Sequence, residues 1–466
     1  MHQGRQGPKG RSLAVALLLV FAACSGGGHK AAPTTTTTPD SSASSQPPPT
    51  NAPKREADDA AWVGRGPTPL SSLVAAGGRI IYLGIDDQQK VQLVGLDPST
   101  GKVAWEREST LATHIPGVEE HLVVEGNTVF DVEPSIGGNS RVAFPAQTGG
   151  AADVVAVDAK TGRDGWHVEV DAITTPLERC GDALCAFAGA DGEHFDVHRL
   201  AFPDGNVLSD TNAMFDPLVA ENGEFAISAS RSTPDIELTS GFGKTVMWTK
   251  QHTDLFGTAD VTPDDGWSGF HVGGGWVIWL GGSAPTSLGA TSALADDGTL
   301  LWTKPEVSPC FVLTGDPITA PVLCGRIDAA NKRFLLGTIS GVDPLTGNIT
   351  WTLDAGDLDI ANLGASLVRY DATHFGFHLA SGDVALDLAA GPSGAPATTS
   401  GWCETAGNDL TVGAEHSIVA MSWAPCTLGA GPDHTPPKAV PEFAGPTVDG
   451  YGAWIEGGEV RAAKVA

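Results

Sequence analysis

The sequence predicts an all-β chain, a β-propeller of four-stranded blades, and three observations carry that reading. Beyond Ala60 no long stretch has helical periodicity; short Val, Ile, Leu, Phe and Trp runs are separated by Gly, Asp, Asn and Pro, the pattern of many short strands. One motif recurs through those runs at roughly forty- to sixty-residue intervals, the period of a four-stranded blade. The two ends of the region read as complementary halves of one further blade.

The motif is clearest in three copies. Leu93 to Gly101 is followed by Trp105, Val155 to Gly162 by Trp166, and Gly341 to Gly347 by Trp351, and in each the Trp follows the Gly by four positions. An apolar strand ends at Asp97, Asp158 or Asp343, whose carboxylate can accept from backbone N–H groups of the turn, and Gly101, Gly162 or Gly347 takes the positive φ that the turn requires. Trp105, Trp166 and Trp351 then lie on the next strand, where a large ring can fill the wedge between adjacent blades. Weaker copies are Ala293 to Gly298 with Trp302, Pro203 to Gly205 without a Trp, Gly241 to Gly243 with Trp248, and Leu386-Asp387 without the glycine. All of these are structural uses of Asp, Gly and Trp, so none of the motif residues is a catalytic candidate.

Residues 451–466 read as a hairpin without its Trp strand, while Ala60 to Val63, carrying Trp62, read as a lone Trp strand. Joined, they make one blade. With the seven internal turns this gives eight blades, seven being the alternative count.

These copies resemble the tryptophan-docking repeats of the PQQ-like (quinoprotein-type) β-propeller superfamily, which includes quinoprotein alcohol dehydrogenases and BamB-like envelope lipoproteins. The resemblance spans most of residues 61–466 and implies a fold more than a function, because the repeat is scaffold. The dehydrogenases bring an adjacent-Cys disulfide, a calcium ion held by acidic and amide side chains, and an Asp base, on a longer chain. Here no two Cys are adjacent and no C-x-x-C-H haem site occurs, so no bound cofactor is expected.

Arg5, Lys9 and Arg11 precede an apolar run from Leu13 to Ala23, the charged and apolar regions of a signal peptide, and the run is too short to span a bilayer. Phe21-Ala22-Ala23-Cys24 resembles a lipobox, so residues 1–23 are expected to leave as a lipoprotein leader and Cys24 to be acylated; ordinary cleavage with an incidental thiol is the alternative. Residues 24–60 are Ser, Thr, Pro and Gly with almost nothing apolar, a disordered tether with an r.m.s. span on the order of 33 Å. The propeller would occupy residues 61–466, exported and lipid-anchored to the outer face of the cell membrane.

Seven Cys is an odd number for an exported chain, and giving Cys24 to lipid leaves three sequence-local couples. Cys180 with Cys185, Cys310 with Cys324, and Cys403 with Cys426 are expected to be hairpin-local disulfides, the form an oxidising compartment preserves. Zinc is disfavoured, since no C-x-x-C and no His at ligand spacing accompany them. The net charge of −28 disfavours nucleic acid and leaves membrane attachment to the lipid.

Two strands repeat a His pattern, His194-Phe195-Asp196-Val197-His198 and His374-Phe375-Gly376-Phe377-His378. A period of two puts His194, Asp196 and His198 on one face, and likewise His374 and His378. Such a set can bind a transition metal. The favoured reading is equivalent strands of repeated blades with their polar face wet, and no metal is expected. Gly241 to Thr245 resembles the end of a phosphate-binding loop, but Leu238 stands where that motif needs its first Gly. Gly273 to Trp279 reads as an inner strand near the axis, with a ligand-stacking platform as the alternative.

The function expected is that of a non-enzymatic envelope protein that presents loops to a protein partner, because rigid blades hold many loops on one broad face. Pro425 to Pro446, a Pro- and Gly-rich stretch, is the first candidate contact. A propeller that binds a small molecule, glycan or metal is the second reading, and a quinoprotein-like enzyme the third.

Overall fold

Short apolar runs bounded by turns pair with their neighbours in sequence, and each set of neighbours builds its own antiparallel sheet. The computed structural model describes residues 61–465 apart from Gln89, 111–120, 135–151, 171–176, Gly181, 189–194, 214–219, 223–224, 230–234, 241–244, 258–259, Gly273, 284–286, 311–320, 329–332, 361–362, 406–409, 413–415, 419–421 and 433–436. The sheets form a β-propeller. Its successive units cover residues 68–108, 123–170, 178–213, 220–251, 261–305, 308–359 and 367–393, each running through four strand positions. In the first unit the inner position is split: Thr68–Pro69 and Val74–Ala76 both pair with Arg79–Ile85.

The closing unit is made from both ends of the described chain. Ala61–Val63 lies beside Glu459–Lys464, with Ala61 opposite Ala463, Trp62 opposite Ala462 and Val63 opposite Arg461. Tyr451–Glu456 and Thr447–Val448 complete this sheet.

A further three-stranded unit stands between residues 367–393 and the closing unit, and no copy of the Asp, Gly and Trp motif marks it. It consists of Ser400–Thr405, Ser422–Thr427 and Gly431–Pro432, bonded to the seventh unit at the single pair Arg369–Trp402 and extended by the hairpin Leu410–Val412 and His416–Ile418. Its turn, Leu428-Gly429-Ala430, has no Asp.

Seams between units are apolar. Leu83 and Leu93 of the first unit pack with Val129 and Val157 of the second, and Tyr82 and Leu96 pack with Ile455 and Ala462 of the closing unit. Six Trp rings reach across seams. The indole N–H donates to a turn carbonyl of the next unit in Trp62–Pro98 (2.8 Å), Trp105–Ala159 (3.0 Å), Trp166–Phe202 (2.9 Å), Trp248–Asp296 (3.0 Å), Trp302–Pro344 (2.8 Å) and Trp351–Leu388 (3.1 Å). Each ring covers the turn glycine of that next unit. At Gly162, φ is +70°, and a Cβ would sit 2.7 Å from the Trp105 ring, so only glycine admits both the turn and the indole. Within its own sheet Trp105 lies opposite Gly95, and Trp351 opposite Gly341, which accounts for the small residue two places before the motif Asp. In the third unit Ser209 lies opposite Arg199 at the equivalent place, so that seam lacks the ring.

Two expectations are corrected. Pro425 lies inside the strand Ser422–Thr427, and Val440 and Ala444 are buried with Trp402, Trp423 and Trp454, so residues 425–446 are in part core rather than a free loop. Apolar side chains interleaved with the prolines dock this stretch onto the closing unit. Gly275–Gly282 is the second strand of its sheet, with Trp276 and Trp279 buried, so no stacking platform is presented there.

Candidate functional site

The motif carboxylates are consumed by their own turns. Asp97 Oδ1 accepts from the backbone N–H groups of Ser99 and Thr100 and from both hydroxyls, at 2.6–3.0 Å. Asp158 Oδ1 accepts from Thr161 N–H (2.8 Å) and Oγ1 (2.6 Å), and Asp343 Oδ1 from Leu345 N–H (3.0 Å), Thr346 N–H (2.7 Å) and Thr346 Oγ1 (2.9 Å). These bonds hold all three below the usual carboxylate range, the Ser99 hydroxyl acting most on Asp97, the Thr161 hydroxyl on Asp158 and the Thr346 N–H on Asp343. Gly101, Gly162 and Gly347 lie beneath Trp62, Trp105 and Trp302, while Trp105, Trp166 and Trp351 cover the next units. The nine residues thus share a mechanical role repeated along the ring, not one site.

Cys180–Cys185, Cys310–Cys324 and Cys403–Cys426 are disulfides, each linking neighbouring strands or a strand to its flank within one unit. Cys24 and residues 25–60 lie outside the described residues, as do His194 and Gly241 to Lys244; Asp196 is described only in its backbone.

His198 faces Ala186 on one neighbouring strand and Asp210 on the other. His374 and His378 are engaged with carboxylates. Nδ1 of His374 lies 2.9 Å from Asp371 Oδ1 and its Nε2 3.0 Å from Asp387 Oδ2, while His378 Nδ1 is 2.6 Å from Asp383 Oδ1. With both ring nitrogens directed at carboxylates, this contact set favours the imidazolium. Among the described residues no three His, Cys, Asp or Glu side chains stand together so as to hold a metal ion.

One buried acid, Asp131, and two half-buried ones, Glu178 and Glu404, were not singled out in the sequence. Asp131 is 2% exposed; one carboxyl oxygen accepts from Ser109 Oγ at 2.7 Å and the other has no hydrogen-bond partner. Burial pushes it up to about 7, and neighbouring Glu133 adds to the shift. The signal was an acid between Phe130 and Val132 on a strand covered on both faces. Glu178 is likewise pushed up to about 7 by burial, and Glu404 is raised for the same reason. Arg107 bridges Glu133 of the second unit's second strand and Asp164 of its last, across the first seam.

A crevice between the seventh unit and the three-stranded unit is lined by Leu367, Arg369, Phe375, Glu404 and Trp423, with Arg369 packed 4.1 Å from the Phe443 ring. Its free volume of about 10 Å³ has room for a single water.

The periphery is different. Among the described residues the exposed large apolar side chains are Val63, Val103, Val207, Leu208, Val246, Met247, Leu300, Leu345 and Ile349. All but Leu345 lie on the last strand of a sheet, and Leu345 is in the turn that leads to one. These last strands also carry an open backbone edge. Among the described residues no helix is long and apolar enough to cross a membrane.

A family model described as outer membrane protein assembly factor BamB matches residues 51–266. Among solved structures the chain is similar to BamB from Moraxella catarrhalis, at 12% identity and a TM-score of 0.41, covering 87% of this chain and 98% of that one. It is also similar to the quinohemoprotein alcohol dehydrogenase from Comamonas testosteroni, at 11% identity and a TM-score of 0.39, covering 87% and 75%. No curated protein matches. The chain is a β-propeller, and its residues 51–266 match the family model described as outer membrane protein assembly factor BamB.

Proposed function

We propose that this chain is a non-enzymatic scaffold of the cell envelope, exported and held to the membrane through an acylated Cys24, whose propeller presents its periphery to protein partners. The observation that carries the reading is the distribution of exposed apolar side chains, which gather on the last strands of successive sheets. There they adjoin unpaired backbone edges that a partner strand or loop can use. The repeat's Asp, Gly and Trp residues support it in a second way, being occupied by turns and seams. The BamB likeness over residues 51–266 agrees with a role in assembling membrane or surface proteins.

The test is crosslinking in the native envelope. Val207, Leu208, Val246 and Met247 together to Thr should reduce partner capture while leaving the melting temperature near wild type, since all four are about half exposed. Cys24→Ala should move the protein to the soluble fraction without unfolding it. Undiminished capture by the first variant would remove the periphery from the reading, and salt-resistant membrane association of the second would remove the anchor.

A further inference from the structure

The seventh unit departs from the first, second and sixth at its motif turn. In the turns at Asp97, Asp158 and Asp343 the carboxylate receives the hydroxyl of the Thr three residues on, a donor that does not titrate. In the seventh unit that position is Ala390. Asp387 keeps the backbone donors, Ala389 N–H at 2.7 Å and Ala390 N–H at 3.0 Å, but no hydroxyl follows. Its other oxygen instead meets Nε2 of His374 at 3.0 Å, from directly across the hairpin.

His374 reaches in two directions. Its Nδ1 lies between the two oxygens of Asp371, at 2.9 and 3.0 Å, in the turn before its strand, with Thr373 Oγ1 further off at 3.2 Å. A neutral imidazole donates through one nitrogen only, so two carboxylate partners require the imidazolium. The ring therefore ties the turn at 371–373 to the turn at 387–391. This second turn receives the sixth unit: Leu388 C=O accepts from the Trp351 indole, and Gly391, with φ +91°, lies beneath its ring.

We infer that His374 makes the seam between the sixth and seventh units proton-responsive, its imidazolium standing in at Asp387 for the threonine hydroxyl of the turns at Asp97, Asp158 and Asp343. When the proton leaves, one of the two carboxylate bonds is lost; Asp371 meets Nδ1 with both oxygens and holds the ring most strongly, so the Nε2 contact goes and the turn that seats Trp351 keeps only its backbone donors. The groups facing the ring bear this out. Asp371 and Asp387 hold His374 above the usual histidine range, the Asp371 hydrogen bond most strongly, against the lowering effect of burial. On the strand Ile349–Asp359, which packs against this hairpin, Asp354 accepts from Gly356, Asp357 pairs with Arg326 and Asp359 with Arg333. His378 at the far end of the same strand pairs with Asp383, and there Gly429 of the neighbouring unit comes against its ring.

Hydrogen exchange on the intact chain at about pH 5 and about pH 8, either side of the imidazole range, tests this once intrinsic rates are divided out. Protection across residues 387–391 should fall at the higher pH by roughly two- to fivefold, the scale of an exposed ion pair. The Thr-capped turn at 343–347 is the internal control and should not follow. Ala390→Thr, which restores the hydroxyl, should suppress the pH response, and His374→Gln should abolish it with protection fixed at the lower level. Equal behaviour of the two turns, or an undiminished response in Ala390→Thr, overturns the inference. The Ala390→Thr variant decides even where His374→Gln folds poorly, because it retains the native imidazole.

Discussion

Trp62, at the start of the described chain, lies across the turn glycine Gly101 of the first unit and donates its indole N–H to Pro98 C=O at 2.8 Å. Through this contact the closing unit grips the first. Trp62→Ala should cost about 2–4 kcal/mol, a little below a fully enclosed ring. Gly101→Ala should cost a similar amount, because φ is +67° and a Cβ would fall within the indole. In the Trp62→Ala background the same glycine substitution should cost only the left-handed strain, about 1–2 kcal/mol. Urea unfolding of the four proteins checks this, and simple additivity would deny the coupling.

Asp131 gives the chain a pH dependence of known sign. The folded carboxyl is raised to about 7 by burial, whereas an unfolded Asp releases its proton near pH 4. The folded state therefore binds the extra proton between these values. Its contribution is fully present below about pH 4 and is lost as pH rises to about 7. Asp131→Asn should flatten this part of the stability profile and exceed wild type above pH 7 by on the order of 1–3 kcal/mol. Melting temperatures across that range that fall equally in both proteins would assign the slope to other groups.

The three disulfides close loops of different length, with sequence separations of 5, 14 and 23. Where the bridge acts on the unfolded chain, replacing Cys403 and Cys426 by Ala should cost about 2–4 kcal/mol, and replacing Cys180 and Cys185 about 1 kcal/mol less. Denaturation of the two double variants under oxidising conditions measures the order. A larger loss at Cys180–Cys185 would mean that native packing, not chain entropy, sets the contribution.

The Asp, Gly and Trp copies were legible because each has a local mechanical purpose: Asp97 caps a turn within three residues, and Gly101 takes a φ that other residues avoid. The composite closing sheet was legible for the same reason, as each end lacked what the other supplied. The unit at 400–432 was not, because Leu428-Gly429-Ala430 turns without an Asp and its strands contain Pro425 and Pro432. Residues 437–446 look like a loop by composition, yet Val440 and Ala444 find a Trp-lined surface that no local pattern reveals. The role of His374 depends on Asp387 across a hairpin and on a missing hydroxyl at Ala390. Period-two alternation placed His374 and His378 on one face without showing what stood opposite them.

The pairing of Ala61 with Ala463 also fixes an order in time. The first strand of the described chain is synthesised long before the strand that receives it, an interval on the order of 20–80 s at about 5–20 residues per second. Until then Ala61–Val63 has no sheet to join, and no partner strand holds Trp62 over Gly101. The earlier units have everything they need as they emerge, whereas the ring waits for Glu459–Lys464. Loss of that last strand would therefore strand two edges at once, at the beginning of the propeller as well as at its end.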